Sequence, residues 1–199
     1  MSSFVDEVIQ GWKKGEISTT RTPDEVLDTV LLSLHNTIRF NGLCRKDYNV
    51  LTHSWLVGAM ASDIARMNGA DALHQTLARF VGMTHDFGEA IVGDMVYPLK
   101  RGEFEGAYEN YKQLEEAARD FIVKYSLGVG LVGVDKEREQ VERADSFFGM
   151  METLGAAQTD DYICFSYLKP FFDNAVDCKM GNMQMFRDEL LRLAEQLRL

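Results

Sequence analysis

The chain has 199 residues, 46% of them hydrophobic and 26% charged, which suits one globular domain with a sizeable core. No apolar run approaches the roughly 20 residues of a membrane span, and residues 1–14 lack a basic start followed by an apolar stretch. Neither an anchor nor a signal peptide is expected, and the cytoplasm is the expected compartment. The net charge of -10 argues against binding nucleic-acid polymers or anionic membranes, whose phosphates an acidic surface repels; a small phosphorylated substrate stays open.

Only Pro23, Pro98 and Pro170 interrupt the chain, so long stretches have no breaker. Thr22-Pro23-Asp24-Glu25 reads as a helix start: a capping hydroxyl, proline at the first position, acids in the first turn. Val26, Val30, Leu34 and Ile38, four apart, carry that helix to about residue 39, and Asn41-Gly42 ends it. A second helix is predicted over 50–67, with Leu56, Met60 and Ile64 on its apolar face and Asn68-Gly69 as its stop. Further helices are predicted over 71–84, 87–92, 105–125, 136–154, 162–174 and 183–197, with a loop over 94–101 and a glycine-rich turn over 126–133. Residues 15–22 fit a short extended piece, and no longer strand pattern, repeat or low-complexity tract is present. The expected fold class is all-α, a single helical bundle over 1–199. Cys44, Cys164 and Cys178 are widely spaced and odd in number, which reads as reduced thiols. The ten methionines read as core filling.

His85-Asp86 carries the chemistry. Alone, such a pair is common and reads as a helix-end feature. Here His53 lies upstream in a predicted helix, Asp145 lies downstream in another, and Glu89 and Asp94 follow close behind. Imidazoles and carboxylates from different helices can converge inside a bundle, which is how bundles build metal sites. Mixed nitrogen and oxygen ligands suit a divalent first-row ion such as Zn, Mn or Co. Four protein ligands leave room for water and a phosphoryl oxygen.

The order His53, His85-Asp86, Asp145 resembles the H…HD…D signature of the HD phosphohydrolase superfamily. The stretch His85-Asp86-Phe87-Gly88-Glu89-Ala90-Ile91-Val92-Gly93-Asp94, followed by Pro98-Leu99-Lys100, is similar to that of bacterial HD-type 5'-deoxynucleotidases and related phage triphosphohydrolases. Ile38-Arg39-Phe40-Asn41-Gly42 resembles their Arg-aromatic element. Leu51-Thr52 stands before His53, where the family often has alanine or serine and then glutamate. The resemblance covers about 22–154; residues 155–199 match no motif.

The resemblance implies that His53, His85, Asp86 and Asp145 hold one divalent metal ion. It implies that Asp94 meets the sugar hydroxyl or a water near the metal; Glu89, placed near metal-bound water, can orient or deprotonate the attacking water or protonate the leaving oxygen. Glu89, four residues after His85, shares its face if helix runs through the pair; otherwise it is an ordinary exposed glutamate. Asp94 is otherwise a turn former after Gly93. Arg39 and Lys100 are the candidate phosphate ligands and Phe40 the base-stacking ring, against readings as surface charges and a core aromatic. His35 is a candidate pocket residue and His74 a surface one; Arg79, Arg101 and Lys112 are cations without an assigned place. The implied activity is hydrolysis of the 5' phosphoester of a nucleotide, monophosphate or triphosphate, the bond broken being the same in both.

Other HD branches fit less well. Enzymes acting on ppGpp usually have longer chains, and di-iron oxygenases need more than the four histidines present. The alternative from another class is a regulatory HD module that binds a nucleotide without turnover. Many relatives form homo-oligomers, and Phe186, Leu190, Leu193 and Leu197 make an amphipathic stripe that serves either a self-interface or the chain's own core.

Overall fold

The computed structural model describes residues 3–39, 48–94, 105–157 and 183–198. These residues form helices: α1 (Phe4–Lys13), α2 (Pro23–Asn36), α3 (Val50–Met67), α4 (Ala72–Thr84), α5 (Glu89–Val92), α6 (Glu105–Leu127), α7 (Asp135–Ala157) and α8 (Met183–Leu197). The all-α fold class is as expected. Among the described residues the one β-type pairing is an isolated bridge between Ile38 and Asn49, and residues 15–22 form no strand. The predicted helix over 162–174, the three cysteines, Phe40, Lys100 and Arg101 lie outside the described residues.

Local chemistry starts the helices. Thr22 caps α2 by a reciprocal box with Glu25, and Pro23 opens it. Ser3 and Asp6 make the same box at α1, a helix not predicted from the sequence although Phe4, Val5, Val8, Ile9 and Trp12 mark an apolar face on it. Asn49 caps α3 and Asp71 caps α4. His74 is exposed and bonds Asp71, so it belongs to that cap and to the surface.

α2 ends at Asn36, a turn short of the expected residue 39. Thr37 turns extended, the Val50 N–H bonds its carbonyl at 2.9 Å, and the Arg39 N–H bonds the Tyr48 carbonyl at 3.4 Å. Pairing across the start of α3 therefore outcompetes the last turn of the helix, and it clamps both ends of the segment that carries Arg39.

α3 lies along α4, and both pack on α7. The closest approach is at two glycines. A Cβ built on Gly82 would stand 2.6 Å from the Gly58 Cα, and one built on Gly58 would stand 2.8 Å from the Arg79 carbonyl oxygen. Hydrogen alone fits there, so the two backbones touch. That contact brings the His53 end of α3 beside the His85 end of α4. The core includes Leu27, Leu31, Leu51, Val57, Phe80, Phe87, Ile122 and Phe148. Phe186, Leu190 and Leu193 of α8 are buried in it, so the C-terminal stripe covers the chain's own core. Of the methionines, Met83 is buried, whereas Met67, Met150 and Met185 are exposed, contrary to a uniform core-filling role. No described helix is long and apolar enough to cross a membrane.

Candidate metal centre

His53 projects from α3 and is fully buried. His85 closes α4, and its Nδ1 lies 2.7 Å from the Gly82 carbonyl oxygen. A carbonyl only accepts, so Nδ1 carries the proton and Nε2 presents its lone pair. That Nε2 is buried and makes no hydrogen bond, although it faces Asp86 Oδ1 at 3.1 Å and Asp145 Oδ1 at 3.8 Å. The imidazole centroids of His53 and His85 are 5.4 Å apart. Ligand atoms of His53, His85 and Asp86 all lie within 4.8 Å of one another.

Asp145, on α7, reaches the same place. Its Oδ1 lies 3.0 Å from His53 Nε2. Burial pushes its carboxyl up, but the hydrogen bond with His53 and the nearness of the His85 imidazole outweigh that and hold it well below the usual carboxylate range. Its side chain remains 45% exposed, which puts it at the mouth of the cluster. The neighbouring Ala144 and Phe148 are buried, whereas Phe147 is exposed.

Glu89 does not share a helical face with His85. The Phe87, Glu89, Ala90 and Ile91 N–H groups bond carbonyls three residues back, to Thr84, Asp86, Phe87 and Gly88. Such winding has three residues per turn and eclipses positions three apart. Asp86 and Glu89 are therefore stacked, and with Glu115 of α6 they place carboxylate oxygens within 4.8 Å of one another. Glu89 is 3% exposed, which excludes the ordinary surface glutamate. α6 comes this close because Gly88 has no side chain: a Cβ there would lie 2.2 Å from the Glu115 carbonyl oxygen.

Arg39 is 8% exposed rather than a surface charge. Its NH1 donates to Asp94 Oδ1 at 3.4 Å and lies 3.6 Å from Asp86 Oδ2 and 3.8 Å from Glu89 Oε2. Asp94 is thus an ion-pair partner as well as a turn residue. His35 faces the Asn49 amide across 3.2 Å, at the α3 cap. Arg79 pairs with Glu189 at 3.1 Å and stands over Trp55, so it is engaged on α8. Lys112 is exposed.

Tyr48, Tyr111 and Glu115 were missed. Tyr48 places its hydroxyl 3.3 Å from His53 Nδ1. Tyr111 donates its hydroxyl to the Gly93 carbonyl at 2.5 Å. Nothing in their sequence neighbourhood marks them; the one legible sign was the four-residue spacing of Tyr111 and Glu115, which puts them on one face of α6.

The donor set fits a divalent cation. It has two imidazoles and a carboxylate in reach, a buried His85 nitrogen with its lone pair turned inward, and a buried Asp86 Oδ2 without a hydrogen bond. Asp86, Glu89, Asp94 and Asp145 also bring more negative charge than the Arg39 guanidinium offsets. Buried carboxylates at such spacing repel, and a doubly charged ion relieves that.

A family model described as 5'-deoxynucleotidase YfbR-like matches residues 29–126. The match holds Arg39, His53, His85, Asp86, Glu89 and Asp94 and stops before Asp145, a narrower span than the motifs suggested. No curated protein and no solved structure gives a significant match. Over residues 29–126 the chain is accordingly related to the HD-type, YfbR-like 5'-deoxynucleotidases.

Proposed function

We infer that the protein is a divalent-metal-dependent hydrolase of the 5' phosphoester of deoxynucleotides, releasing the nucleoside. The observation that carries this reading is the meeting of His53, His85 and Asp86 beside a buried arginine, within a chain related to 5'-deoxynucleotidases. His53, His85, Asp86 and Asp145 would hold the ion. When bound, a divalent ion lowers the pKa of water and polarises a phosphoryl oxygen.

The chain's own groups do the rest. Glu89, stacked on Asp86 and buried, is placed to orient the incoming water and take its proton. Arg39 offers a planar fork to the phosphate, with Lys100 as a second cation. Phe40 supplies a ring for the base and Asp94 an acceptor for a sugar hydroxyl. Water oxygen bonds to phosphorus, the bond from phosphorus to the 5' oxygen breaks, and that oxygen leaves with a proton. The side chain of Asp145 is 45% exposed, and a nucleotide phosphate would approach the cluster past it.

The test is a screen of deoxy- and ribonucleoside mono-, di- and triphosphates with Mn, Co, Zn and Mg, with products separated by chromatography. Phosphate or triphosphate release with one of these ions, abolished together with metal content in His85→Ala, is the expected result. Saturable nucleotide binding without any release would overturn hydrolysis in favour of a regulatory module.

A further inference from the structure

We propose that Tyr111 is a positioning residue: its hydroxyl fixes the turn at Gly93 and thereby sets Asp94 against Arg39. The argument begins with α5. Four residues are too few to hold a helix by themselves, so α5 depends on ties to its neighbours. Phe87 and Ile91 are buried beneath it, and the Ser33 hydroxyl of α2 donates to the Ala90 carbonyl at 3.3 Å. At the far end the chain leaves through Gly93, at φ 84°, a left-handed conformation that a side chain disfavours.

Both backbone groups of Gly93 are tied. Its N–H bonds the Glu89 carbonyl at 2.8 Å, and its carbonyl accepts the Tyr111 hydroxyl at 2.5 Å. The next residue is Asp94, whose side chain is 7% exposed and accepts from Arg39 NH1. With both backbone groups of Gly93 held, Asp94 has little freedom in where its carboxylate goes. Tyr111 shares a face of α6 with Glu115, whose backbone abuts Gly88, so one face of α6 grips the turn from Gly88 to Gly93. Burial and the surrounding Glu115, Glu89, Asp94 and Asp86 carboxylates push the Tyr111 hydroxyl upward from its ordinary value. It stays a donor throughout the working pH range.

The kinetic arm rests on the hydrolase reading; the exchange arm does not. Tyr111→Phe, Asp94→Asn and the double variant are compared with the wild type by hydrogen–deuterium exchange, metal content and steady-state kinetics. In Tyr111→Phe, exchange over 88–94 should speed about fivefold, the worth of one neutral hydrogen bond. Metal content should stay unchanged, because His53, His85 and Asp86 precede this turn. KM for the best nucleotide should rise about fivefold with a smaller change in kcat, and that rise should vanish in the Asp94→Asn background. Unchanged exchange over 88–94 overturns the proposal, as does a KM effect that persists in full beside Asp94→Asn. A uniform acceleration that includes α8 marks a merely structural tyrosine and overturns it too. If the wild type hydrolyses no nucleotide, the hydrolase reading falls and the exchange result alone decides the role of Tyr111.

Discussion

Tyr48 illustrates what one hydroxyl can do beside a metal ligand. In the structure His53 Nε2 faces the Asp145 carboxylate, which can only accept, so Nε2 carries the proton and Nδ1 accepts from Tyr48. A cation on Nε2 requires the other tautomer, with the proton on Nδ1. The Tyr48 oxygen can accept from it, because a hydroxyl serves in both directions. Phenylalanine serves in neither, so Tyr48→Phe should weaken metal binding about tenfold, read by chelator competition. Tyr111 gives a pH prediction. Its folded-state value is raised, so the neutral hydroxyl favours the folded state, and this contribution is complete below the unfolded value of about 10. Above that pH the unfolded chain ionises first and the contribution is progressively lost. Denaturant unfolding at pH 9 and pH 11 should show a larger loss for the wild type than for Tyr111→Phe.

At the scale of elements, the contact between Gly58 and Gly82 sets the geometry of the site. Each glycine lies within two helical turns of its imidazole: His53 five residues before Gly58, His85 three after Gly82. Gly82→Ala places a Cβ against the α3 backbone, which cannot yield as a flexible side chain would. It should cost about 1–3 kcal/mol by denaturant unfolding and should also lower metal content by spreading the two rings. Alanine at an exposed helical position elsewhere would normally stabilise, since glycine is the poorer helix former. The sign of the effect thus separates a packing glycine from a tolerated one.

For the whole molecule, α8 decides how the core is closed. Phe186, Leu190 and Leu193 are buried, and Arg187 reaches Asp24 and Asp28 on α2 at 2.7 and 2.9 Å. Leu190→Ala should cost about 2–5 kcal/mol, measured by chemical denaturation, with an unchanged sedimentation coefficient because the residue faces the chain's own core.

The sequence by itself determined the helical class, most helix starts and the identity of the metal-site candidates. Capping boxes, prolines and apolar spacing are local signals, and His53, His85, Asp86 and Asp145 stand in a recognisable order. It also made Arg39 and Glu89 candidates, without deciding whether either was buried. Tertiary structure decided that, together with the early end of α2 at the bridge between Ile38 and Asn49, the three-residue winding that stacks Glu89 on Asp86, and the choice of core over interface for the α8 stripe. Tyr48, Tyr111 and Glu115 became visible only in three dimensions. The reason is physical: a helix's local pattern tells which face is apolar, but which neighbour meets a given polar side chain depends on how closely two backbones approach, and here glycines at 58, 82 and 88 set that distance.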